Sequence, residues 1–298
     1  MIKRTLFFGN PAYLSTKNQQ LVINYPEVDA PTKTVPIEDI GMVVLENQQI
    51  TISNGLLSKL IQNNAAVISC DGYHLPISLL QPLVGHSEQT ERMRHQLNAS
   101  VPLKKNLWQQ TISAKIQNQA NFMDKQAIPA RKMHKWANEV KSGDTENHES
   151  RAAVYYWQHI FGIESFTRGQ KEAPPNNLLN YGYAILRGIT ARALVGSGLL
   201  PSVGIFHKNK YNAFCLADDI MEPYRVYVDV LVNDMVQSDE DYETLTTDIK
   251  TSLLQLPVMD VVIDGNKSPL MVAMSRTTNS LYECFAGISR KALYPVFE

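Results

Sequence analysis

Glu149 stands in the first turn of a predicted helix and shares one face of that helix with small residues. Positions i, i+3, i+4 and i+7 are Glu149, Ala152, Ala153 and Tyr156. A carboxylate on a buried face needs a cation or a metal, and two alanines leave room for either to approach. A first-turn glutamate is also favoured by the helix dipole and can simply face water. Both interpretations stay open at this point.

Glu222 lies in the string Leu216–Arg225, which reads LADDIMEPYR. Its carboxylate is a candidate metal ligand. Alternatively, Asp219 is the N-cap of a helix and Glu222 reaches back to the Asp219 amide in a capping box. Pro223 suits the start of a helix, where amides have few intrahelical partners. The capping box explains all three residues together and does not exclude a metal role for Glu222.

His207 stands where the apolar run Gly204–Phe206 changes to a polar turn. A histidine there can bind a metal or transfer a proton, although exposed loop histidines are common. Two carboxylates and an imidazole together suit Mg²⁺ or Mn²⁺. The wide spacing of the three residues matches no short metal motif, and the chain contains no Walker A loop, Rossmann glycine fingerprint or GxSxG elbow.

Charge is distributed unevenly along the chain, although its net value is −1. Residues 91–142 contain ten basic side chains and three acidic ones, whereas residues 216–264 contain twelve acidic and two basic ones. A basic segment suits a polyanion and an acidic segment suits a metal or a basic partner. Two solvated helical faces would produce the same composition.

The elements that would position these residues predict an α+β multidomain protein of 298 residues. Residues 1–78 are expected to form a small β-rich, β-sandwich-like domain with one helix, residues 79–90 a linker, and residues 91–298 a larger all-α catalytic domain. Strands are predicted at 5–8, 13–14, 20–23, 41–45 and 65–69. Helices are predicted at 54–62, 87–97, 103–123, 149–161, 176–195, 218–236, 241–254 and 268–287, with a loop or hairpin at 201–214.

Targeting signals are not predicted. The N-terminal apolar stretch is too short for a secretory signal, and glycines and a proline interrupt the apolar run Ala193–Phe206, so no membrane span is expected. The odd number of scattered cysteines, Cys70, Cys215 and Cys284, indicates a reduced, cytoplasmic protein.

Four local strings, in this order, resemble the CRISPR-associated integrases of spacer acquisition, the Cas one family. They are ESRAA at Glu149–Ala153, NLLNYGYAIL at Asn177–Leu186, GIFH at Gly204–His207 and LADDIMEPYR at Leu216–Arg225. The N-terminal half is similar to the β-domain of the family. Many members have an aspartate where this chain has Glu222. The aspartate of the patch falls on Asp219, which raises the question of whether Asp219 also contacts the metal.

The resemblance implies a metal-dependent DNA endonuclease and integrase, with Glu149, His207 and Glu222 as catalytic residues and ligands of Mg²⁺ or Mn²⁺. Its activity would be the insertion of short foreign DNA segments into a CRISPR array by transesterification from a DNA 3′-hydroxyl. The implied partners are the double-stranded DNA of protospacer and repeat, a second copy in a homodimer, and the small protein Cas two in a heterohexamer-like assembly. The compact length and the string MEPYR most resemble type II members, which adds other type II CRISPR proteins as partners.

DNA is expected to be held through its backbone by basic side chains. The candidates are Arg92, Arg94, Lys104, Lys105, Arg131, Lys132, Lys208 and Lys210. Two other functions remain: a metal-dependent nuclease acting on branched DNA in repair, and a non-catalytic DNA-binding scaffold. Integration that requires a repeat-bearing target would exclude the repair nuclease, and metal binding would exclude the scaffold.

Overall fold

The protein divides into two compact units, Met1–Gly85 and His86–Glu298, which we call the N-terminal unit and the C-terminal unit. The computed structural model describes residues 3–27, 31–169, 171–238 and 241–298. The predicted fold class, a β-rich region followed by a helical one, is confirmed. Residues at both ends of the predicted linker belong to regular elements, because a strand extends to Leu80 and a helix begins at Gln89.

The N-terminal unit is built from two four-stranded sheets. One has the order β1 (Arg4–Phe8), β5 (Ile40–Leu45), β7 (Ala66–Cys70) and β8 (Pro76–Leu80), and the other has the order β4 (Lys33–Pro36), β3 (Gln20–Asn24), β2 (Tyr13–Lys17) and β6 (Thr51–Ile52). Apolar side chains from both sheets share one core with helix α1 (Asn54–Gln62). The Ser53 hydroxyl caps that helix by accepting a hydrogen bond from the Leu56 amide.

The C-terminal unit contains helices of very different length. They are α2 (Gln89–Asn98), α3 (Val101–Lys125), α4 (Arg131–Glu139), α5 (His148–His159), α6 (Asn176–Gly196), α7 (Cys215–Met221), α8 (Arg225–Gln237), α9 (Thr247–Leu253) and α10 (Leu270–Phe285). Within the described ranges, no helix is both long and apolar enough to cross a bilayer.

The C-terminal unit is not all-α, contrary to the prediction. A three-stranded antiparallel sheet has the order β10 (Asn266–Pro269), β9 (Asp260–Ile263) and β11 (Pro295–Val296). These strands have two to four residues each, too few for period-2 alternation to appear in the sequence. Helix α4 was also not predicted.

Two predicted helices differ from the observed ones for local reasons. The helix expected over 218–236 is three elements, because a 3-10 turn at Glu222–Tyr224 containing Pro223 separates α7 from α8. The helix expected over 241–254 is the shorter α9. Thr246 sets its start, since the Thr246 hydroxyl accepts a hydrogen bond from the Ile249 amide.

Helix α3 runs through the C-terminal unit and holds the elements around it with buried polar side chains. The Asn118 amide group donates hydrogen bonds to the carbonyls of Pro223, at 2.8 Å, and of Pro295, at 3.0 Å. Its oxygen accepts a hydrogen bond from the Phe297 amide at 3.1 Å. One buried side chain on α3 therefore fixes both the 3-10 turn and the C-terminal strand.

Replacing Asn118 with alanine should lower the free energy of unfolding by about 2–4 kcal/mol, because three backbone groups lose a buried partner. The measurement is urea unfolding followed by circular dichroism. Asn138→Ala, at an exposed amide of α4, is the control and should change the free energy by less than about 0.5 kcal/mol. Equal effects of the two substitutions would show that Asn118 does not tie these elements together.

Candidate functional site

The two predicted carboxylates meet at one cation supplied by α3. Lys115 Nζ donates a hydrogen bond to Glu149 Oε1 at 2.8 Å and forms an ion pair with Glu222 Oε2 at 2.7 Å. The Lys115 side chain is only 11% exposed. Burial opposes its charge, but the attraction of Glu222 and Glu149 outweighs burial and raises the Lys115 pKa above its ordinary value.

Glu149 is positioned by the start of α5. Asp144 lies just before the helix, and its two carboxylate oxygens accept hydrogen bonds from the amides of His148 and Glu149, at 2.9 and 3.0 Å. On the helix face predicted from the sequence, Ala152 and Tyr156 are fully buried, whereas Ala153 is half-buried. Glu149 keeps a 25% exposed side chain. Glu149 is thus a negative charge in the first turn of α5, and its carboxylate also has a specific cationic partner, Lys115.

Glu222 begins the 3-10 turn and is nearly completely buried. Its Oε1 accepts a hydrogen bond from Arg225 Nε at 2.9 Å. Burial alone would raise the pKa of this carboxyl, but Arg225 and Lys115 overcome burial and lower the pKa to about 2. The other oxygen of Glu222, Oε2, is buried and forms an ion pair with Lys115 Nζ at 2.7 Å. Glu222 is therefore a carboxylate at every physiological pH.

The predicted capping box is wrong. Asp219 lies inside α7, which begins four residues earlier at Cys215. Its fully buried carboxylate instead organises the loop that carries His207. Oδ2 accepts hydrogen bonds from the amides of Ile205 and Phe206, at 2.7 and 2.9 Å, and Oδ1 accepts one from the His207 amide at 3.2 Å.

The same Asp219 carboxylate orients the His207 ring. Oδ1 lies 2.5 Å from His207 Nδ1, so the ring turns Nε2 away from Asp219. This hydrogen bond is the main cause of a raised His207 pKa, and the charges of Glu222 and Glu149 add to it. The loop can pass this close because residue 204 is glycine. A Cβ there would lie 2.4 Å from the His207 carbonyl oxygen.

Aromatic packing fixes the outer side of the His207 loop. Phe206 stacks on Trp108 of α3, with ring centroids 4.1 Å apart, and the His207 ring meets Trp108 edge to face at 5.7 Å. Trp108 and Lys115 are seven residues apart on α3 and therefore share a face of that helix. One helix thus supports both the histidine and the two glutamates.

A buried network extends from Arg225 into the body of the C-terminal unit. The Arg225 guanidinium lies 4.5 Å from the centre of the Tyr183 ring. Tyr183 and Tyr156 both donate hydrogen bonds to Asp229, and burial raises the pKa of that carboxyl to about 6. Gly182 permits the contact of α6 with α8, since a Cβ there would lie 2.4 Å from Val228. Gly182 and Tyr183 of the NYGY string therefore pack behind the site, against α8 and Arg225.

The candidate DNA-binding residues fall into two groups. Arg92 makes intramolecular contacts. Its guanidinium donates a hydrogen bond to the Ser197 carbonyl at 3.2 Å, forms an ion pair with Glu88 and lies 3.9 Å from the centre of the Tyr282 ring. The other seven reach solvent: Arg94, Lys104, Lys105, Arg131, Lys132, Lys208 and Lys210. Three of these, Lys104, Lys208 and Lys210, line a groove beside His207 together with Tyr211, which is 84% exposed.

The structure gathers Glu149, Glu222 and His207 into one region of the C-terminal unit, with Asp219 behind the histidine. In the described part of the chain, no three His, Cys, Asp or Glu side chains are grouped closely enough to hold a metal as they stand. Lys115 is the site residue that sequence reasoning missed. It is one of ten basic residues in its segment, and nothing in the sequence distinguishes it from the exposed ones.

Comparisons with known proteins agree with the resemblance noted in the sequence. The family model described as CRISPR associated protein Cas1, the Cas one family, matches residues 6–248. A CRISPR-associated endonuclease Cas1 of Neisseria meningitidis serogroup C (strain 8013) is 36% identical over 293 residues, covering 98% of this chain and 94% of that protein.

Two solved structures have the same fold. A casposase bound to integration product is similar with a TM-score of 0.78 and 17% identity, covering 98% of this chain and 92% of that one. A Cas6-RT-Cas1–Cas2 complex is similar with a TM-score of 0.71 and 18% identity, covering 97% of this chain and 35% of that one. At these identities the likeness concerns the fold alone.

Asp219→Asn should lower the pKa of His207 in chelator-treated protein, because the main cause of the raised value is lost. A raised histidine pKa contributes stability that is complete below the unfolded value of about 6.5 and disappears as pH rises through the folded value. The variant should therefore lose more unfolding free energy at pH 5.5 than at pH 9. The measurements are an NMR titration of the ring protons and urea unfolding at both pH values.

Asp218→Asn is the matched control for Asp219→Asn. Asp218 pairs with Arg187 and Asn212 and does not contact His207, so its substitution should leave the His207 titration in place. An unchanged titration in Asp219→Asn would show that Asp219 does not orient the ring.

Proposed function

The chain belongs to the Cas1 family, and from that premise we propose that it is a metal-dependent DNA integrase and endonuclease that inserts short foreign DNA segments into a CRISPR array. The observation that carries the proposal is the convergence of two carboxylates, from α5 and from the turn after α7, on one buried cation beside an oriented histidine. This arrangement argues against a non-catalytic scaffold, in which Glu149 and Glu222 would have only local roles at helix ends.

The residues at the site fit a divalent ion. Glu149 and Glu222 already share one cation position, since their carboxylate oxygens lie 2.8 and 2.7 Å from the same ammonium. Glu149, Glu222 and the Nε2 atom of His207 would be the ligands, a set of oxygens and one nitrogen that suits Mg²⁺ or Mn²⁺. A bound ion would supply Lewis-acid stabilisation of charge on the scissile phosphate.

The chain's own residues prepare this site. Asp219 holds Nδ1 of His207, so Nε2 points away from it and is the nitrogen that would bind a metal or exchange a proton with a reacting oxygen. The four hydrogen bonds that Asp219 accepts leave it committed to the loop and the ring. We therefore propose that Asp219 orients the ligand His207 and does not bind the metal.

The reaction we propose is a direct exchange of phosphodiester bonds. A 3′-hydroxyl oxygen of the incoming DNA forms a bond to a phosphorus atom of the repeat, and the bond from that phosphorus to the 3′-oxygen of the repeat breaks. The proton of the attacking hydroxyl is lost and the departing 3′-oxygen gains one. Because the 3′-hydroxyl attacks the phosphorus directly, the protein forms no covalent intermediate, and the number of phosphodiester bonds is unchanged. Hydrolysis by the same site would account for endonuclease activity.

For partners we propose double-stranded protospacer and repeat DNA, a second copy of the chain, and Cas2, since a structure with this fold is a Cas1–Cas2 complex. The string MEPYR supports the type II subgroup and contact with its other proteins. The three cysteines are buried and form no disulfide, which is consistent with the cytoplasm as the proposed location.

Integration by the wild type should require Mg²⁺ or Mn²⁺ and should fall at least about a hundredfold in Glu149→Gln, His207→Ala and Glu222→Gln, because the metal supplies several kcal/mol of transition-state stabilisation. The assay joins a labelled duplex to a repeat-bearing plasmid in the presence of Cas2. Lys135→Met, at an exposed lysine of α4, is the control. Joining that persists in all three variants would place the active site elsewhere. Metal-dependent cleavage of branched DNA without joining would favour the repair nuclease.

Lys208→Ala combined with Lys210→Ala should weaken binding of duplex DNA. The slope of the logarithm of the binding constant against the logarithm of the salt concentration should also become shallower. The decrease should be up to about 1.8, which is the value for two lysines that each neutralise one phosphate. Fluorescence anisotropy at several salt concentrations measures both effects. Arg92→Ala is the contrasting variant and should leave the salt slope unchanged, since Arg92 is bound inside the protein. A lower salt slope in Arg92→Ala alone would reverse this assignment.

A further inference from the structure

Lys115 occupies the place between the two carboxylates where the proposed function puts a metal ion. Its ammonium lies 2.8 Å from Glu149 Oε1 and 2.7 Å from Glu222 Oε2. We propose that Lys115 is an exchangeable counter-ion of the metal site: its ammonium holds the two carboxylates together in the metal-free protein and leaves when a divalent ion binds. This inference depends on the proposed metal site.

The metal-free protein needs a cation at this position. Glu222 is buried and Glu149 is only partly exposed, and both carboxylates contact the same ammonium, so without Lys115 two negative charges would face each other. Like charges in a partly buried site repel more strongly than they do in water. Arg225 neutralises only Glu222, through Oε1. Lys115 is therefore the group that lets the site fold before a metal arrives.

Of the two cations at the site, Lys115 is the one suited to leave. Arg225 donates a hydrogen bond to Glu222 and lies against the Tyr183 ring at 4.5 Å, so two neighbours fix its planar group. Lys115 has a flexible four-carbon stem, and the contacts described for its ammonium are those with Glu149 and Glu222. The same ammonium forms an ion pair with Glu222 Oε2 at 2.7 Å. A divalent ion placed between the two carboxylates would replace both contacts.

Exchange has a consequence for affinity. A divalent ion entering the site must break both ion pairs of Lys115, so the measured metal affinity is the intrinsic affinity reduced by the strength of those pairs. Removing the ammonium while keeping the stem should remove this competition. A residue that only helped to bind the metal would behave in the opposite way, because its loss would weaken binding.

The test is a titration of Mn²⁺ into chelator-treated protein, with free Mn²⁺ measured by electron paramagnetic resonance. Lys115→Met should bind Mn²⁺ at least about tenfold more tightly than the wild type, which corresponds to about 1.4 kcal/mol. Lys135→Met removes a lysine of α4 that pairs with one exposed glutamate, and it should bind Mn²⁺ as the wild type does. Equal or weaker binding by Lys115→Met overturns the inference.

A second measurement tests the other half of the proposal. Without metal, Lys115→Met should have a lower melting temperature than the wild type, and saturating Mn²⁺ should raise it by more than it raises that of the wild type. Lys115→Gln keeps a hydrogen-bond donor without the charge and serves if the methionine variant does not fold without metal. Its Mn²⁺ affinity should also exceed that of the wild type, and an affinity no higher than that of the wild type counts against the proposal.

The outcomes separate this inference from the proposed function. In one outcome the wild type binds Mn²⁺, Glu149→Gln and Glu222→Gln do not, and Lys115→Met binds no more tightly than the wild type. This result would retain the metal site and reject the role of Lys115. Binding that is absent from the wild type as well as from the variants, or that is unchanged in both glutamate variants, would reject the metal site and the inference together.

Discussion

Charge balance around a buried carboxylate is the constraint on which the C-terminal unit depends. Glu222 is ionised and almost inaccessible to water, and an ion in that environment is tolerated only with close opposite charge. Arg225 supplies one such charge from the same turn. Lys115 supplies the other from α3 and brings Glu149 of α5 to the same point. The pairing thus fixes the mutual position of three elements that are far apart in the sequence.

Packing on two sides keeps Glu149, Glu222 and His207 in position. On one side, Trp108 of α3 supports Phe206 and His207. On the other side, Arg225 lies on Tyr183, which with Tyr156 holds the buried Asp229. Tyr156 follows Glu149 by two turns on the same face of α5. A displacement of either glutamate would therefore disturb a hydrogen-bonded aromatic network, and this coupling makes the site rigid around a movable lysine.

The sequence predicts those features of the structure that depend on residues close together in the chain. The face of α5 that carries Glu149 follows from helical periodicity, and five strands of the N-terminal unit follow from their apolar content. The short or polar strands β4, β6 and β8 do not. The capping box at Asp219 failed because the same residues suit either the start or the interior of a helix, and the deciding partners are loop amides at 205–207. Lys115 could not be found, since its role depends on tertiary contacts with residues 34 and 107 positions away.

Asp219 and Glu222 show how one short string supplies two different functions. They are three residues apart and both carboxylates are buried, yet Asp219 meets backbone N–H groups and an imidazole, whereas Glu222 meets two cations. The donors around Asp219 belong to the loop that carries His207, so this carboxylate is occupied by four hydrogen bonds, and we propose that it does not bind the metal. The cations around Glu222 include one on a flexible stem. In the proposed site, the difference between the orienting role of Asp219 and the ligand role of Glu222 is therefore set by the partners of each carboxylate, and not by its type or its place in the motif.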